Sequence, residues 1–147
     1  MKREYKTEKE IVDLVRSFED ATIAREDWKH AEHLIVALYY LSQHDLKTAT
    51  AKIRSGIFNL LVSAFAVDLT KEMPYHETLT VFWMRTINDY VRVNDNLPLW
   101  VKANEIVQRY DKDYPLRFYS REFLFSDEAR AEFREGDLLT AGPASVI

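Results

Sequence analysis

The sequence predicts an all-α fold: a single-domain bundle of about five main helices followed by a short C-terminal helix. Three observations lead there. Among 147 residues there are only three glycines and four prolines, too few turn signals for the many short strands of an all-β domain. Apolar residues recur at helical spacing in three separate stretches. Residues 34–41, LIVALYYL, are apolar on every side. A helix with no polar face belongs in the middle of a bundle, so this stretch predicts the central helix. The length suits one domain, assigned to residues 1–139, with TAGPASVI at 140–147 expected to form a flexible C-terminal tail.

The first helix is expected to begin at Thr7, because Thr7-Glu8-Lys9-Glu10 has the form of a capping box. Ile11, Leu14, Val15 and Phe18 then form one apolar stripe, with Glu19 at its edge. A break at residues 24–27 leads into the central helix, for which Asp27 is the expected N-cap. His30, His33, Ala37 and Tyr40 share one face of that helix. Asp45 can cap a third helix, expected over residues 46–67, in which Gly56 marks a close helix contact or a bend. The fourth helix opens at residues 75–80, YHETLT, and runs to about Asn94. His76 lies on the face of Leu79, Trp83 and Tyr90, so it is expected to point inward. Pro98 suits the first turn of a fifth helix over residues 97–109. The last third is loop-like and aromatic-rich, with a short helix expected over residues 127–134, capped by Ser126 and ended by Gly136.

Composition narrows the functional classes. The formal net charge is −4 and no basic cluster stands out, so nucleic acid is not an expected partner. There is no cysteine, which removes disulfides, thiolate ligands and thiol nucleophiles together. The opening MKREYKTEKE has no apolar core, so no secretory signal is expected. No apolar run approaches the length of a membrane span, and the expected location is cytoplasmic.

Three of the four histidines sit where a helical bundle builds a polar site. His30 and His33 are three residues apart, so both imidazoles can converge on one point, and His76 opens a second helix on its inward face. Neutral imidazole is a ligand for zinc, iron and nickel, and three protein ligands plus water is the usual catalytic zinc arrangement. A metal on His30, His33 and His76 would lower the pKa of bound water and polarise a substrate oxygen. Glu77 and Glu19 are the candidate catalytic carboxylates, as acid/base or additional ligand, with Glu26 a further acceptor for an imidazole N–H. The same residues also fit a metal-free polar network. They fit equally a histidine general base beside Glu77, in a pocket lined by Trp28, Tyr40 and Trp83. Tyr119 and Arg121 complete the substrate candidates, if the C-terminal segment returns over the bundle mouth; Arg121 would then meet an anionic group. His76-Glu77 is not part of H-E-x-x-H, since Thr80 stands where the second histidine would be. His44-Asp45 lies at a helix end, too close to His33 for an HD-type phosphohydrolase, and no glycine-rich phosphate loop is present.

In the order of its motifs the chain resembles a mostly uncharacterised family of small all-helical bacterial proteins. They carry F-E-x-x-T, W-x-H-x-x-H-L, Y-H-E-T-[LI]-T and Y-S-R-E-x-L-F-S, found here at residues 18–22, 28–34, 75–80 and 119–126. The resemblance spans residues 18–138 and implies a shared polar site without naming a reaction. More loosely, the chain is similar to the DinB-like bundles, which hold a divalent metal with three histidines. In those the close pair lies on the later helix, whereas here it comes first.

Two functions follow as expectations. The first is a metal-dependent enzyme, a hydrolase or transferase for a redox-inert metal and an oxygen-using enzyme for iron, acting on a small polar molecule. The second is a metal-free protein that binds a small ligand, or that forms a homodimer through apolar residues of its third or fifth helix, with the histidines as a structural network.

Overall fold

In a computed structural model, which describes residues 4–138, the chain is an all-α bundle without a strand among the described residues. Its helices are α1 (Glu8–Glu19), α2 (His30–Gln43), α3 (Leu46–Asn59), α4 (Glu77–Val93), α5 (Leu99–Arg109), α6 (Arg121–Leu124) and α7 (Asp127–Ala131). The segment expected as a tail, 140–147, lies outside the described residues. No helix among the described residues is long and apolar enough to cross a membrane.

The apolar run places α2 at the centre, packed on α1, α3, α4 and α5 at once. Leu34, Ile35, Val36, Ala37 and Leu38 are all buried, although they point in every direction round the helix. Each large apolar side chain so covered contributes about 1.5–3 kcal/mol, which fixes α2 as the element the others close around. The α1 stripe Ile11, Leu14, Val15 and Phe18 is buried against this core. Thr7 caps α1 by accepting from the Glu10 amide, while Glu10 reaches back to the Lys6 amide. Gly56 marks a close contact: a Cβ there would lie 2.3 Å from the ring of Phe18. That ring is itself fully buried and stacked on Trp28, with centroids 4.9 Å apart.

Several boundaries differ from the expected ones. The N-cap of α2 is Lys29 and not Asp27, because residues 25–27 form a separate 3-10 turn. The Lys29 amide donates to Glu32, the third residue of the helix, which supplies the acid half of a capping arrangement. The third helix ends at Asn59 and passes into a π-helical turn at Leu60–Ala64, closed by the Phe65 amide on the Leu60 carbonyl. Both this segment and α1 finish on an alanine with positive φ, Ala66 at 54° and Ala21 at 56°. Ala21 occupies the left-handed position of a Schellman motif: its amide reaches Phe18 and the Thr22 amide reaches Ser17. Glycine normally holds that place, so neither helix end carried its usual signal. Pro98 precedes α5 as its N-cap. The C-terminal helix expected over 127–134 is only Asp127–Ala131, preceded by the one-turn α6, and serines 120 and 126 cap the two. Gly136 does not end that helix; it lies against the Phe118 carbonyl, where a Cβ would come within 2.3 Å. Of the large apolar residues on the third and fifth helical segments, Val62 and Trp100 are left exposed.

Candidate functional site

A cavity of about 350 Å³ opens where the N-terminal turns of α2 and α4 meet the α3 face. Its floor is apolar: Leu34 and Ala37 from α2, Ile53 and Ile57 from α3, and Leu79 and Met84 from α4. Trp28 and Trp83 form its aromatic walls, and Lys29 and Lys112 also border it. His30, His33 and His76 all line it, so the fold brings the three histidines to one space.

Their ring nitrogens are, however, engaged in different ways. His76 is the N-cap of α4: its Nδ1 accepts from the Leu79 amide at 3.1 Å. Its Nε2 lies 2.6 Å from the Leu124 carbonyl. A carbonyl only accepts, so Nε2 carries the proton and His76 is a neutral imidazole with both nitrogens used by the backbone. Burial holds its pKa below 6.5, more than the Leu124 carbonyl raises it. Here a histidine performs the capping normally left to serine or aspartate. His30 lies 2.9 Å through Nε2 from the Tyr110 carbonyl, its ring 5.1 Å from that of Trp83. His33 holds its Nδ1 2.8 Å from the Lys29 carbonyl, which again places the proton on the bonded nitrogen. Its ring lies 4.1 Å from that of Trp28. Desolvation drives the His33 pKa down to about 4, outweighing the opposing pull of the Lys29 carbonyl. At neutral pH its Nε2 is a lone-pair acceptor, and among the described residues nothing donates to it. Among the described residues no group of three or more histidine, aspartate or glutamate side chains is arranged to hold a metal ion.

The remaining candidates separate. Glu77 turns away from the cavity and forms a bidentate pair with Arg54 of α3, Nε to Oε1 at 3.0 Å and Nη2 to Oε2 at 2.7 Å, while Tyr75 donates to the same carboxylate. Burial alone would raise its pKa, but the Arg54 and Tyr75 hydrogen bonds win and hold it below 4.5. Glu77 thus joins α3 to α4 and keeps its charge. Glu19 accepts from Tyr40 at 2.7 Å across α1 and α2 and borders a different cleft, beside Lys52 and His44. Tyr40 goes with it, held by that hydrogen bond, and lines no part of the histidine cavity. Glu26 is exposed on the 3-10 turn. Tyr119 is buried and donates to the Arg134 carbonyl, and Arg121 is an exposed first-turn residue of α6, so neither reaches the cavity wall. Trp28 and Trp83 do line it.

Several residues that shape the site had not been singled out. Glu32 is buried and accepts from both the Tyr5 hydroxyl and the Lys29 amide, anchoring the start of α2. Its signal was its place three residues after the true N-cap. Thr80 is tied to the His76 carbonyl. Arg54 and Lys112 come from distant segments, and no local pattern marks either. No family model matches the chain, and no curated protein or solved structure is significantly similar to it.

Proposed function

We propose that the histidine cavity binds a small organic molecule directly, without a metal, and that His33 orients it. The supporting observation is an acceptor, the His33 Nε2, to which nothing among the described residues donates, in a largely apolar cavity. Tyr75, His76 and Thr80 have spent their polar atoms on the fold. The His33 Nε2 has not. An apolar pocket with a few placed polar groups is the usual form of a small-ligand site, and about 350 Å³ falls within the usual range. A ligand O–H or N–H donating to Nε2 would be held in one orientation by an imidazole whose tautomer the Lys29 carbonyl already sets.

The low pKa of His33 weighs between binding and catalysis. A general base works best with a pKa near the working pH. An imidazole at about 4 takes a proton poorly at neutral pH but accepts a hydrogen bond well. The three-histidine metal enzyme is the competing reading, and it requires His76 to give up either its cap on α4 or its bond to Leu124. The test is to purify the untagged protein without chelator, then measure its metal content and identify any small molecule released on denaturation. A stoichiometric organic ligand, absent from His33→Leu, is the expected result. A stoichiometric transition metal lost in both His33→Ala and His76→Ala would overturn the proposal.

A further inference from the structure

We infer that the ligand of this cavity is an organic anion with an apolar body, a simple carboxylic acid being the smallest example. The inference rests on the binding function proposed above and adds the charge and shape of the ligand. At roughly 30 Å³ for each water-sized unit, a cavity of about 350 Å³ takes on the order of a dozen non-hydrogen atoms. The floor of Leu34, Ile53, Ile57, Leu79 and Met84 offers such a body no polar partner, so most of it must be hydrocarbon or aromatic.

The charge comes from what borders the cavity and what does not. Lys29 and Lys112 are its two charged wall residues, and no aspartate or glutamate lines it. Neither lysine is in an ion pair among the described residues. The nearby carboxylates are committed elsewhere. Glu32 is taken by Tyr5 and the Lys29 amide, and Glu77 by Arg54. Asp27 borders a separate cleft and does not line this one. Asp111 and Asp113 flank Lys112 in the chain but do not line the cavity; Asp111 accepts from the Asp113 amide. The N-terminal ends of α2 and α4 also meet at this space, and their dipoles add a field of the same sign. An anionic head at the lysine rim and an apolar body on the floor therefore match the charge and the lining of the cavity, and a ligand that also carries a donor can set it on the His33 Nε2. A cationic ligand would meet two lysines and no counter-charge.

The experiment is a fluorescence titration of the full chain, since Trp28 and Trp83 line the cavity. The probes are phenylpropionate, cyclohexylacetate and octanoate, each matched with its primary amide and its primary amine. The acids are expected to bind roughly five- to twentyfold tighter than their amides, as two partly screened ion pairs allow. Lys29→Gln and Lys112→Gln should each remove several-fold of that preference and leave amide binding unchanged. High salt should narrow the gap, and Lys47→Gln, on an exposed part of α3, should do nothing. Amides or amines that bind as well as the acids would overturn the anion inference while leaving a ligand cavity in place. Failure of all nine probes to change the fluorescence of the wild-type protein or of a Trp100→Phe variant would overturn both.

Discussion

Replacing His76 with alanine separates the two functions a histidine can have at this position. In the structure it caps α4 through Nδ1 and satisfies the Leu124 carbonyl through Nε2, and only 7% of the residue is exposed. Losing the cap costs about 1 kcal/mol. Leaving the Leu124 carbonyl without its donor costs about 1–2 kcal/mol more, and the space vacated by the ring adds roughly 1 kcal/mol. His76→Ala should therefore lower the unfolding free energy by about 3–4 kcal/mol, measured by urea denaturation followed by circular dichroism. His76→Asn keeps an acceptor for the Leu79 amide and should recover about 1 kcal/mol of the loss.

The pH profile provides an independent check on the same bonds. A proton added to Nδ1 would face the Leu79 N–H, so the folded state holds the imidazole neutral and its pKa is below 6.5. The unfolded chain takes up protons first as pH falls. The contribution of His76 is thus complete above pH 6.5 and is lost as pH falls through the lower folded value. The Asn variant, with nothing to titrate, should lose less stability on acidification than wild type. If His76→Ala stayed within about 0.5 kcal/mol of wild type, the ring could not be holding these bonds. Equal stability of the Ala and Asn variants would refute the capping role specifically.

Other outcomes follow from the same geometry. His33, with its pKa near 4, should make wild-type stability fall between pH 6.5 and 4 by about 2 kcal/mol, after discounting for its partly open position; His33→Gln should flatten that part of the curve in pH-dependent urea melts. Gly56→Ala gains about 1 kcal/mol of helix propensity but drives a methyl into the Phe18 ring, which Trp28 backs from behind; a net loss of about 2 kcal/mol is expected, read from thermal denaturation. Ala21→Gly relieves a left-handed alanine and should stabilise by about 0.5–1 kcal/mol, seen as a higher Tm. Arg54→Met leaves Glu77 half-buried without its guanidinium and should cost about 1–2 kcal/mol at neutral pH, with a smaller deficit in acid, where the carboxylate is protonated.

The histidine cavity shows how far local pattern reaches. Spacing alone put His30, His33 and His76 on inward faces, and they do meet at one space, because a helical repeat is a property of consecutive residues. The same local logic identified Thr7, Asp45 and Ser126 as helix starts, since a cap depends on residues within one turn. It placed the start of α2 two residues early, because Asp27 is by residue type a better cap than Lys29, yet it lies in a 3-10 turn. The ends at Ala21 and Ala66 were not legible either, as the packing imposes a left-handed backbone there on residues that do not advertise it.

The use made of each side chain was decided only by what came to lie opposite it. Glu77 is next to His76 in sequence, yet a quarter turn of helix points it at Arg54, an α3 residue 23 positions away, and turns a candidate base into a fixed ion pair. Glu19 follows the α1 stripe to Tyr40 and leaves the histidines altogether. Leu124, 48 residues beyond His76, supplies the carbonyl that takes its second nitrogen. The sequence by itself determined the all-α class, the central helix and the inward set of histidines, because those depend on periodicity along one strand of chain. The partners, protonation states and unspent atoms depend on long-range packing between helices, and only the tertiary structure decided that His76 serves the fold while His33 lines the cavity with an Nε2 to which nothing among the described residues donates.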